Sequence, residues 1–223
     1  MIVLRALGAL LSYPRDEVWE ALPEIAEAIR TSQLIAGRQR QDLLALIDTL
    51  RASDLLQAEE RYVELFDRGR AASLHLFEHL HGDGRDRGQA MVELRRLYER
   101  AGYELSSREM PDYLPVVLEY LSCCDLREAR ELLGDCAHIV RRIGQSLIAR
   151  GSSYAAVLQA LLVIAGEERI DAAAVPRVKE PMEHLDRDWF EQPAFGPQSP
   201  SVMDVGNVSN SAPAPCNIST GRE

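Results

Sequence analysis

Apolar residues recur at three- and four-residue spacings along the chain up to about residue 170, and no stretch alternates in period two with β-branched enrichment and hairpin turns. This pattern predicts an all-α fold, a single helical-bundle-like domain. Met1 to Leu11 reads as a first core helix that breaks at Tyr13-Pro14. Asp16-Glu17-Val18-Trp19 opens a second helical region with acids at its positive end, and Pro23 is placed to split it. Leu43, Leu44, Ile47 and Leu50 mark a third helix. Leu55, Leu56, Ala58, Tyr62 and Phe66 mark a fourth, which runs into the corner Asp67-Arg68-Gly69-Arg70.

Beyond that corner the spacing predicts a helix over Leu74 to Leu80, a Gly82-Asp83-Gly84 turn, and a helix from Arg85 to Arg100 with Met91, Leu94, Leu97 and Tyr98 inward and Gly102 as its left-handed cap. In Pro111-Asp112-Tyr113-Leu114-Pro115 the prolines do not forbid a helix. With Asp112 as N-cap, Pro115 falls at the third helical position, where the N–H has no intrahelical acceptor anyway. Asp125-Leu126-Arg127-Glu128 has the form of a capping box opening one long helix to about Ala149, and Tyr154 to about Ala165 forms a last apolar helix.

From about Pro176 the composition shifts, and after Gln192 come five prolines among Ser, Asn and Gly. Such a segment does not offset its own ordering entropy. The expected organisation is therefore an all-helical domain over residues 1–191 and a disordered Pro/Ser/Asn-rich tail over 192–223. A net charge of −10 excludes a nucleic-acid binder and makes a basic partner the natural complement. No cleavage site follows the apolar N-terminus, and no run approaches the ~20 apolar residues that span a bilayer, so a cytoplasmic protein without membrane insertion is expected. Cysteines 123, 124, 136 and 216 have neither CxxC spacing nor the density of a disulfide framework.

The chemistry-bearing groups concentrate between Leu65 and Gly88. His75-Leu76-Phe77-Glu78-His79 matches the H-x-x-E-H spelling of inverted zinc peptidases, where histidines a turn apart hold zinc and the glutamate handles water. The competing reading is a pair of helical histidines hydrogen-bonded to Asp, Glu or backbone groups. Gly82-Asp83-Gly84 beside Arg85 lacks the Gly-Lys-Ser/Thr ending and the preceding strand of a phosphate cradle, and reads equally as a helix–helix turn. No Ser/His/Asp or Cys/His nucleophile pattern emerges. The residues favour a helical binding protein over an enzyme, with no catalytic and no metal-ligating residues.

At these positions the sequence resembles the NarJ-type nitrate reductase molybdenum cofactor assembly chaperones, within the wider group of redox-enzyme maturation chaperones. The resemblance runs through Leu11-Ser12-Tyr13-Pro14, Tyr62 to Arg70, Ser73 to Met91, Pro111 to Pro115 with Glu119-Tyr120-Leu121-Ser122, Asp188-Trp189-Phe190-Glu191 and Asn217-Ile218-Ser219-Thr220-Gly221. Each motif alone is weak, but their ordered set is specific. The resemblance implies an all-α chaperone that binds the catalytic α subunit of respiratory nitrate reductase before its cofactor is inserted and recognises that subunit's N-terminal segment. It further implies that the chaperone supports insertion of the molybdopterin guanine dinucleotide cofactor while binding none stably itself, and delays membrane docking. Molybdenum cofactor biosynthesis proteins are a further implied partner, and maturation of another molybdoenzyme is the neighbouring alternative. By motif, Tyr62, Phe66, Asp67, Arg70, His75, Phe77, Glu78, His79, Arg85, Asp86, Arg87 and Tyr120 become groove or framework residues. Pro111, Asp112 and Tyr113 match the short Pro-Asp-His/Tyr element that related chaperones place near the peptide site. A charged clamp between Asp67–Arg70 and Arg85–Arg87 is the expected device holding the helices around the groove.

Overall fold

The computed structural model describes residues 1–80, 85–105 and 109–177. These lie in the unit Met1–Glu180. The expected tail, the boundary at 191/192 and the Gly82-Asp83-Gly84 turn lie outside them.

The described residues form eleven α-helices and no named strand. The first is α1 (Ile2–Leu11), whose Val3, Leu4, Leu7, Leu10 and Leu11 are buried at helical spacing. Short α2 (Asp16–Glu20) is followed by α3 (Leu22–Thr31), with Pro23 in the first turn of α3, where its missing N–H costs nothing. Next come α4 (Gly37–Ala52) and α5 (Leu55–Tyr62), the latter capped by Asp54, which accepts from the Gln57 N–H at 2.8 Å. The fourth predicted helix does not stay α-helical to Phe66. It widens into a π turn at Val63–Asp67 and tightens into a 3₁₀ turn at Arg70–Ala72. Arg150 donates to the Leu65 carbonyl within the π turn at 3.2 Å.

The chain continues through α6 (Leu76–Leu80) and α7 (Arg85–Arg100). Gly102 adopts φ +82°, the left-handed cap expected of it. Then follow α8 (Leu114–Cys123), α9 (Leu126–Asp135), α10 (Ala137–Ala149) and α11 (Ala155–Ala165). Asp125 is the N-cap of α9, accepting from the Glu128 N–H at 2.8 Å. The single long helix that it was to open is two, because Cys136 leaves the helical region at φ −99°, ψ 5°. Gly134 lowers the cost of breaking there, and the break lets α9 and α10 each pack on α11.

Helix α11 is the centre of the bundle, buried on nearly every side from Ala155 to Leu162. The closest helix pair is α1 with α8, and it is close because position 8 is glycine. A Cβ on Gly8 would stand 3.2 Å from the Pro115 carbonyl and 3.3 Å from the Leu118 Cβ. Gly8→Val forces the two helices apart, and an overpacking cost of about 1–3 kcal/mol is expected as a lower midpoint in urea unfolding.

Candidate functional site: a bridged framework beside an acidic groove

The motif residues are gathered by an element that helical periodicity does not announce. Leu74 and His75 do not begin α6. The chain bends at Leu74, and His75 forms a lone antiparallel β-bridge with Tyr113, so that the Leu76 N–H donates to the Asp112 carbonyl (3.0 Å) and the Leu114 N–H to the Leu74 carbonyl (2.9 Å). Two segments some forty residues apart are thereby fixed side by side.

Asp112 is the hub, fully buried at 0% exposure. It is not the N-cap of α8, a position that Tyr113 takes without a side-chain hydrogen bond. The carboxylate instead turns across the bridge to α6, accepting from the Phe77 N–H at 3.0 Å and from His75 Nδ1 at 3.3 Å. A buried carboxylate does better at a helix N-terminus that also offers an imidazole than at one that offers backbone alone. The pairing with Asp112 raises the His75 pKa above its ordinary value, against the opposing effect of burial. Because the folded pKa is the raised one, the stabilisation from this pair is complete below about pH 6.5 and is lost as pH climbs through the folded value. The stability advantage of wild type over His75→Gln is therefore expected to be largest near about pH 6 and to shrink toward about pH 9, as read by urea unfolding at each pH.

The second half of the zinc-like motif is occupied differently. His79 Nε2 donates to the Ser73 carbonyl at 2.9 Å, and Glu78 pairs with Arg87 at 3.3 Å, tying α6 to α7. Among the described residues no group of three or more His, Cys, Asp or Glu is placed to hold a metal ion. The ion pair at Arg87 thus runs to Glu78, whereas the expected clamp ran to the corner at Asp67, whose side chain is exposed. Arg70 is exposed at the start of the 3₁₀ turn, whose Ala72 is buried, Arg85 is the first residue of α7, and Asp86 is exposed in its first turn.

Aromatic groups join this hub to the core. The Tyr62 hydroxyl donates to the Leu11 carbonyl (2.9 Å) and accepts from the Tyr113 hydroxyl (2.8 Å), locking α5 to α1 and to the bridge. Rings continue the line from Tyr13 through Tyr62 and Phe66 to Tyr154, with centroids 4.8–5.5 Å apart. Burial pushes the Tyr113 phenol up to about 12 and raises that of Tyr62 further, so both are neutral hydrogen-bonding groups. On the other side Tyr98 donates to the Pro111 carbonyl at 2.9 Å and packs on Tyr120 at 4.8 Å. Tyr62, Phe66, His75, Phe77, Glu78, His79, Arg87, Pro111, Asp112, Tyr113 and Tyr120 thus belong to one connected framework, and most of them face inward or each other.

The free surface lies alongside. A cleft of about 380 Å³ between α1 and α8 is lined by Arg5, Tyr13, Glu17, Glu109 and Tyr113, among others. It shares Val116 and Glu119 with a second cleft of about 270 Å³ under Tyr98, Tyr103 and Tyr120. It shares Tyr13 with a third of about 430 Å³, beside Leu56 and Glu60 on α5 and Glu64 in the π turn. Together they make an elongated groove with more carboxylates than cations along its walls. Of the residues expected at the site, only Tyr113 and Tyr120 line it. Val116, Glu119 and Tyr103 were missed. The available signal was the outward face of α8 between the two tyrosines, where Glu119 stands in an otherwise apolar helix.

Comparison with known proteins agrees with this architecture. The model of the family described as nitrate reductase delta subunit matches residues 14–159. The nitrate reductase molybdenum cofactor assembly chaperone NarJ of Escherichia coli (strain K12) is 45% identical over 165 residues, covering 74% of this chain and 70% of that protein. The probable nitrate reductase molybdenum cofactor assembly chaperone NarW of the same organism is 36% identical over 218 residues, covering 96% of this chain and 89% of its own. A probable NarJ chaperone of Bacillus subtilis (strain 168) is 34% identical over 163 residues, covering 72% of this chain and 86% of its own. Relatives this similar over most of both chains carry the same assignment as the family match: the chain belongs to the nitrate reductase delta subunit family.

Proposed function

We propose that this chain is a nitrate reductase molybdenum cofactor assembly chaperone, that it is not an enzyme, and that it binds the catalytic α subunit before cofactor insertion by holding that subunit's N-terminal segment in the groove across α1 and α8. The observation that carries this reading is the groove across α1 and α8, where carboxylates outnumber cations and Tyr113 and Tyr120 stand in the walls. Such a trough suits an amphipathic, basic helix laid lengthwise, with apolar contacts supplying affinity and charge supplying register. The names of the relatives support the nitrate reductase client and the assembly role. The molybdopterin guanine dinucleotide cofactor is cargo for the client in this reading and is not a resident group of the chaperone. Molybdenum cofactor biosynthesis proteins are the other partners that such a step requires. The step is cytoplasmic and precedes membrane docking, as the resemblance implies; among the described residues no helix is long and apolar enough to cross a membrane.

Co-expression tests the reading. The tagged full chain is expected to retain the α subunit through purification, and to lose most of it when the subunit's N-terminal residues are removed. Equal retention of both forms would move recognition to another part of the client.

A further inference from the structure

We infer that the tyrosine-walled cleft where the end of α7 meets α8 is a pocket for a single guanidinium or ammonium side chain, set at one end of the groove. This rests on the peptide-recognition reading and names the chemistry of one of its contacts. The Tyr120 and Tyr98 rings form the inner wall at 4.8 Å from each other, and Tyr103 meets Tyr120 edge-on at 5.8 Å. Tyr103 is 42% exposed, so part of its ring remains open to solvent. Its position is not loose. The left-handed turn at Gly102 brings the Tyr103 N–H to the Tyr98 carbonyl at 2.9 Å, which ties the third ring to the helix that carries the first.

The remaining walls give the pocket its sign. Glu104 and Glu119 line it with Leu105, Val116 and Cys123, and among the described residues no Arg, Lys or His stands in its walls. Both glutamates are exposed at the rim. An aromatic face attracts a cation through its quadrupole, and a carboxylate at the edge supplies the opposite charge. Anionic side chains are repelled, and an apolar one would leave the glutamates unused. At about 270 Å³ the cleft admits one side chain and not a helix. The groove beyond it takes the rest of the segment.

Two titrations of the full chain test the pocket. In the first, L-argininamide is added and the Tyr120 ring protons, in the wall beside Tyr103, are followed by NMR, with uncharged N-acetylglycinamide as control. Saturable shifts are expected with argininamide alone, weakened by Glu104→Gln and abolished by Tyr103→Ala, both at exposed positions where the fold is retained. In the second, a peptide copying the α subunit's N-terminal segment is titrated calorimetrically, then re-made with each Arg or Lys replaced in turn by norleucine. One replacement is expected to cost about tenfold in affinity for wild type and nothing for Tyr103→Ala. Argininamide shifts that match those of N-acetylglycinamide, or replacements that cost the same in wild type and Tyr103→Ala, would overturn the pocket. If argininamide binds at Tyr103 while the native peptide does not bind at all, the pocket stands and the client reading falls.

Discussion

Replacing Asp112 by Ala is expected to lower the stability of the protein by about 3–5 kcal/mol, the range found when one partner of a buried charge pair is removed. For a chain of this size that is a fall of roughly 10 °C in Tm. Three losses combine: the acceptor for the Phe77 N–H, the partner of His75, and the hub of the bridge that sets α6 beside α8. Asp112→Asn keeps the shape and one acceptor oxygen, and should lose appreciably less. On the exposed face of α5, Glu60→Ala and Arg61→Ala are expected to stay within about 0.5 kcal/mol of wild type. Thermal unfolding of these four variants separates a structural hub from a generic effect of removing charge. Equal melting of Asp112→Ala and Glu60→Ala would mean that the bridge stands without its carboxylate.

Tyr62 should rank next. Its ring is 4% exposed within the aromatic line, and its hydroxyl serves both Leu11 and Tyr113. Tyr62→Ala removes both contributions and is expected to cost about 3–5 kcal/mol, as for other large aromatic truncations. Tyr62→Phe keeps the ring and loses only the hydroxyl, for about 1–2 kcal/mol. Part of that loss is cushioned, since the Tyr113 hydroxyl lies 3.4 Å from the same Leu11 carbonyl. A denaturant series on the two variants reads the difference directly, and a Tyr62→Phe variant as damaged as Tyr62→Ala would place the hydrogen bonds above the packing.

Much of this architecture is legible in the sequence because helical periodicity is a local signal. The first helix, the split at Pro23, the Asp125 cap and the Gly102 turn each depend on residues within a few positions of one another. The misassigned elements are those decided at a distance. Nothing near Asp112 indicates that its carboxylate caps α6, because its partners His75 and Phe77 lie more than thirty positions earlier. Read locally, an aspartate ahead of a helix is an N-cap, and the tertiary pairing overrides that preference. Leu74 and His75 likewise leave the helical register only because Tyr113 is there to pair with them. Many of the motif residues come together around the Asp112 hub, yet of those expected at the site only Tyr113 and Tyr120 line the groove beside it. Of the residues facing the groove, Val116 and Tyr103 belong to no motif, and Glu119 stands in one without being marked out as a contact. They become a site only when α8 is laid against α1 and the end of α7.

The most direct test of the proposed function is the molybdenum content of the α subunit purified from cells that express nitrate reductase with and without this chain. Near-stoichiometric molybdenum is expected when the chain is present and little when it is absent, with the α subunit polypeptide produced in both. Equal molybdenum loading in the two preparations would contradict a role in cofactor insertion, however tightly the two proteins bind.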